Sequence, residues 1–153
     1  MRALLILLVS LGLFTAAHAA DSTTGRLVKV LPFLLDAQGR DALSPSLFDR
    51  DAYQAQLRAN TNEVSALRYD VLWQAAKSGG EKFTLRAELR AVGERGVPLL
   101  KTLETEVTPG TFRKWTSLTL GGAEYKKFGA VVAWRITLWR GGRLLDEKKS
   151  FLW

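Results

Sequence analysis

Leu67-Arg-Tyr-Asp-Val-Leu-Trp73 and Phe83-Thr-Leu-Arg-Ala-Glu-Leu-Arg-Ala91 decide how this chain folds. Leu67, Tyr69, Val71 and Trp73 alternate with Arg68 and Asp70, and Phe83, Leu85, Ala87, Leu89 and Ala91 alternate with Thr84, Arg86, Glu88 and Arg90. Successive side chains of a strand point to opposite faces, so each stretch reads as a strand with one buried and one wet face. Ser78-Gly79-Gly80 between them supplies a turn.

The same punctuation continues downstream. Gly93-Glu-Arg-Gly96 leads to a strand over Pro98–Val107, and Thr108-Pro-Gly110 to one over Thr111–Leu120. Gly121-Gly122 and a polar connection, Ala123–Gly129, precede Ala130–Trp139, and Arg140-Gly-Gly-Arg143 turns the chain into Leu144–Trp153. Upstream, Arg26–Leu35 is β-rich but carries Pro32, which lacks an amide proton and places this strand at a sheet edge or breaks it there. Asp36-Ala-Gln-Gly39 reads as a turn.

One helix is expected. Asp49 caps it, Asn60 marks its end, Phe48 and Tyr53 have staple spacing, and Tyr53 and Leu57 share a face. Seven strands without an internal repeat or a strand–helix alternation give an all-β fold. The expectation is an antiparallel β-sandwich of immunoglobulin-like type, with one short helix inserted after the first strand. Trp73, Leu85, Leu89, Trp134, Ile136 and Leu138 are the expected core. Asp146-Glu-Lys-Lys149 puts charge in the middle of the last strand, as edge strands do. An outer-membrane barrel ending in Trp153 fails on that strand, because Lys149 and Glu147 would face lipid.

The N-terminus adds a compartment. Met1-Arg2, the apolar run Ala3–Phe14 and Ala17-His18-Ala19 have the form of a secretory leader, residues 1–19, cleaved after Ala19. Its apolar run is too short for a transmembrane helix. The expectation is a secreted or periplasmic protein with a single domain over 20–153 and no membrane span after cleavage. The only His and the only Met go with the leader, and the sequence has no Cys. What remains lacks thiol nucleophiles, the neutral-pH acid–base group and the commonest metal ligands. A Ser-His-Asp triad is therefore impossible, and neither a metal site nor a cofactor is expected.

Charge is uneven. Residues 20–110 hold 12 basic and 12 acidic side chains, whereas the last 43 hold 9 basic and 3 acidic, together with four of the five tryptophans. Such a surplus attracts anionic partners, although solvation of edge strands would also account for it. Trp115 shares its strand phase with Arg113, and Trp139 with Arg135, which sets both rings on polar faces. Tryptophan beside arginine anchors interfaces and binds sugars. The candidate binding residues are thus Trp115, Trp139, Arg135 and Arg113, joined by Lys126 and Lys127 from the polar connection.

The function expected is an exported, non-catalytic binding or structural module that contacts a protein partner or an anionic envelope glycan through its C-terminal strands. Nucleic acid is not an expected partner. The alternative is a carboxylate-dependent glycan hydrolase, since Glu104 and Glu106 lie on one strand face roughly 7 Å apart, a spacing that suits an inverting pair.

Overall fold

A computed structural model of the protein describes residues 25–76, 80–93 and 96–153. The expected leader lies outside the described residues, as do Ser78 and Gly79 of the first turn and Glu94 and Arg95 of the second. The described chain forms seven strands: β1 (Gly25–Leu35), β2 (Ala66–Ala75), β3 (Phe83–Val92), β4 (Pro98–Val107), β5 (Lys114–Gly121), β6 (Val131–Arg140) and β7 (Arg143–Lys149). They build two antiparallel sheets, ordered β1-β2-β5 and β4-β3-β6-β7. A helix α1 (Leu47–Ala59) follows β1, and a second helix α2 (Gly122–Phe128) joins β5 to β6.

The two alternating stretches supply the facing layers. Tyr69, Val71 and Trp73 from β2 meet Phe83, Leu85, Ala87 and Leu89 from β3, with Ile136 and Leu138 from β6 and Leu118 and Leu120 from β5, in one buried cluster. Trp73 lies fully inside, and its indole N–H donates to Thr116 Oγ1 at 2.9 Å, so the ring brings no unpaired donor into the core. Trp134 is only half-buried and packs against this cluster from its margin.

β1 and β7 are the edges expected from Pro32 and from the charged last strand. They approach each other and close one side of the sandwich. Asp146 Oδ2 accepts from the Leu27 amide at 2.6 Å where the β1 ladder shifts register, and a Cβ on Gly25 would meet Leu145 Cδ1 at 2.6 Å. Near the end of β1, α1 engages the strand at Leu34. The Gln54 amide accepts from Leu34 N at 2.9 Å and donates to Leu34 O at 2.8 Å, acting as a one-residue strand partner. Both devices satisfy edge groups that would otherwise template pairing with another chain.

Asp36 holds the β1–α1 connection. Its carboxylate accepts from the amides of Gln38 and Arg40, from Arg40 Nε and from the Tyr53 hydroxyl, all at 2.7–2.9 Å. Burial on its own would raise the pKa of this group. The Arg40 amide and the other donors outweigh it and hold the carboxyl at about 2, below its ordinary 3.8.

Three local expectations change. The helix starts earlier, with Ser46 as its N-cap accepting from Asp49 N, and Phe48 is 81% exposed, so it makes no staple with Tyr53. The polar connection 123–129 is helical. Glu124 in its first turn and Lys126 and Lys127 in its last complement the dipole, Phe128 is buried, and Gly129 at φ 80° ends it. The last strand stops at Lys149, and Ser150–Trp153 folds back. Ser150 N donates to Trp134 O at 2.9 Å, while Trp134 N donates to Ser150 Oγ at 3.0 Å.

Candidate functional site

The outer face of the four-stranded sheet gathers what two of the candidate residues need. Cross-strand register there sets Glu104, Arg86, Thr137 and Glu147 in one row, and Thr102, Glu88, Arg135 and Lys149 in the next. Opposite charges fall beside each other and pair. Arg86 Nε meets Glu104 at 2.5 Å, and Arg135 Nε meets Glu88 at 2.7 Å. Arg135 Nη1 also lies 3.6 Å from Glu147, which Lys149 reaches at 3.3 Å. The hydrogen bond from Arg135 to Glu88 raises the guanidinium pKa above its ordinary value.

Two tryptophans lie in this lattice. The Arg86 guanidinium stands 5.0 Å over the Trp139 ring, whose N–H donates to Thr137 Oγ1 at 2.8 Å. Trp153, carried back by the C-terminal turn, lies under Arg90 at 3.9 Å and Arg135 at 4.9 Å. Each ring is capped by a strand-borne arginine, the geometry of a cation–π contact. Val92 and Leu100 are exposed at the end of this sheet where Arg90 and Trp153 lie, the end away from Trp139.

The six candidate residues do not gather. Arg135 and Trp139 share this face, but Trp115 is 54% exposed on the outer face of the three-stranded sheet, on the opposite side of the sandwich. Arg113 is exposed just before β5, and Lys126 and Lys127 project from α2. The cause is the crossover: β5 and β6 belong to different sheets, so the basic C-terminal third is divided between two faces. The face also holds Arg86 and Arg90 of β3 and Trp153, none of them among the residues expected from the sequence. The Arg86-x-Glu88-x-Arg90 alternation opposite Glu104 and Glu106 was their available signal.

Glu104 and Glu106 lie on this open face, held by Arg86 and by Lys82 at 2.8 Å respectively. A shallow hollow of about 230 Å³ has Glu81 and Glu106 at its edge, and these too are engaged, by Arg140 and Lys82. Among the described residues no group of three His, Cys, Asp or Glu could hold a metal ion, and no helix is long and apolar enough to cross a membrane. Comparison of the chain with protein families, with curated proteins and with solved structures returned no match.

Proposed function

We propose that this protein is an exported, non-catalytic binding module with an immunoglobulin-like sandwich, and that it meets a protein partner through the outer face of its four-stranded sheet. The strand order supports the fold assignment. Constant-type immunoglobulin domains pair strands 1-2-5-4 and 3-6-7, and here only β4 changes sides, leaving β5 for β3. The leader-like N-terminus supports export.

The observation that carries the binding reading is the pair of arginine-capped tryptophans, with exposed Leu100 beside the Arg90–Trp153 pair. Tryptophan and arginine that are already ordered lose little entropy on association, and an apolar margin adds buried area. The balanced ion pairs favour a protein over an anionic glycan, since a polymer drawn by charge would need a surplus on one face. The hydrolase alternative has no support in the placement of Glu104 and Glu106, whose carboxylates sit on an open sheet beside cations.

A photoreactive residue at Thr102, exposed on this face, tests the reading against the same residue at Thr119 on the opposite face. Crosslinking to a discrete envelope protein from Thr102 alone, abolished by Trp139→Ala with Leu100→Glu, is expected. Equal crosslinking from both faces would overturn it, as would salt-sensitive retention on an anionic polysaccharide that survives the double substitution.

A further inference from the structure

The β7 ladder on β6 reaches only as far as Arg135, and past the Ser150–Trp134 bonds no strand among the described residues lies beside Val131–Ala133 on that side. Across the gap stand the second half of β1, α1 and the turn after it, and between them a cleft of about 380 Å³ opens into the space between the sheets. This volume lies within the range of small-molecule sites. Its floor is Leu67, Tyr69 and Trp134, with the two rings 5.8 Å apart, and Val64 and Tyr125 form a wall. An adjoining hollow of about 460 Å³ continues it past Lys126.

The polar groups of the cleft are unusual for this molecule. The Tyr69 hydroxyl and the Trp134 indole N–H make no hydrogen bond to any described residue. Arg58, in the last turn of α1, lines the cleft, and neither it nor Lys126 forms an ion pair among the described residues. Among the described residues, none lining either hollow is Asp or Glu. An apolar, aromatic interior with spare donors and a cationic, acid-free mouth is complementary to a molecule with an apolar body and one anionic end.

We propose that the inter-sheet cleft binds a free amphiphilic monoanion, a carboxylate or sulfonate on a short alkyl or aryl body. The body lies on Tyr69 and Trp134 and the anionic end meets Arg58. This site is independent of the four-stranded face.

Decanoate below its micellar concentration is the probe, with decanol and decyltrimethylammonium as neutral and cationic controls of equal chain length. Titration calorimetry is followed alongside the Trp134 indole N–H resonance. Decanoate is expected to bind and shift that resonance. Arg58→Gln, on an exposed helix position, should weaken decanoate roughly tenfold while leaving decanol unchanged, as loss of one charge-assisted contact requires. Ala130→Trp, at an exposed position lining the cleft, should abolish binding of both. The proposal is overturned if decanoate does not bind, if the cationic control binds as well as decanoate, if Arg58→Gln leaves the preference for decanoate intact, or if Ala130→Trp has no effect.

Discussion

The outer face of the four-stranded sheet and the mouth of the inter-sheet cleft both set cations beside aromatic rings, yet their electrostatics are opposite. On the face, Arg86 and Arg135 each meet a carboxylate delivered by the neighbouring strand. At the cleft, Arg58 and Lys126 come from helices with no acidic residue among the lining. Strand pairing repeats at fixed spacing and brings complementary charges into register, whereas a helix at a sheet margin presents its charge to open space. A count of basic residues therefore says little about where charge is left over.

The largest effect is expected where α1 is rooted. Leu57 has no exposed surface and packs with Tyr53 and Val64 behind the cleft wall. Leu57→Ala should cost about 2–5 kcal/mol in chemical denaturation. Leu100→Ala on the open face should stay within about 0.5 kcal/mol. Equal effects would mean that α1 is not the element that builds the cleft.

Acid should act on the same region. A carboxyl held at about 2 in the folded protein, against 3.8 ordinarily, gives up its proton on folding. The stability Asp36 provides is therefore complete above about pH 4 and lost as pH falls toward 2. Asp36→Asn should cost about 1.5–3 kcal/mol at neutral pH through loss of a charged acceptor and should flatten this part of the acid limb. An unchanged slope between pH 4 and 2 in the variant would assign acid lability to other carboxylates.

The smallest effects sharpen the contrast between paired and unpaired cations. Arg135→Gln removes contacts to Glu88, Glu147 and Trp153 at a partly exposed site, and about 1 kcal/mol or less is expected. Arg58→Gln, with no partner among the described residues, should leave the unfolding midpoint where it is. A larger loss for Arg58 than for Arg135 would reverse the assignment of which cation is structurally engaged.

Much of the fold was legible in the residues. Alternation over Leu67–Trp73 and Phe83–Ala91 set the inner faces, because a period of two leaves no choice of which side chains share a face. Pro32 and the charged centre of β7 marked their strands as edges through the missing amide and the cost of burying charge. The same reasoning failed at the start of β6. There the register shifts between Ala133 and Val131, so Val132 is exposed and Ala133 is buried; Trp134 keeps the phase of Ile136 and Leu138 but, lying past the end of β7, becomes the floor of a cleft instead of the centre of the core. An extra residue in a ladder reverses the phase on one side of it, and nothing local announces it.

The strands, their wet and dry sides, the edges and the want of thiol or imidazole chemistry after the leader-like segment follow from the residues alone, since these depend on single residues or on their immediate spacing. Which surfaces the cations share depends on how the layers are assembled. Crossing between sheets at α2 separated Trp115 from Trp139, a premature end of β7 opened the cleft, and the folded-back tail laid Trp153 under Arg90 and Arg135. Each of these is a relation between segments far apart along the chain, set by which layers pack together and where a ladder stops.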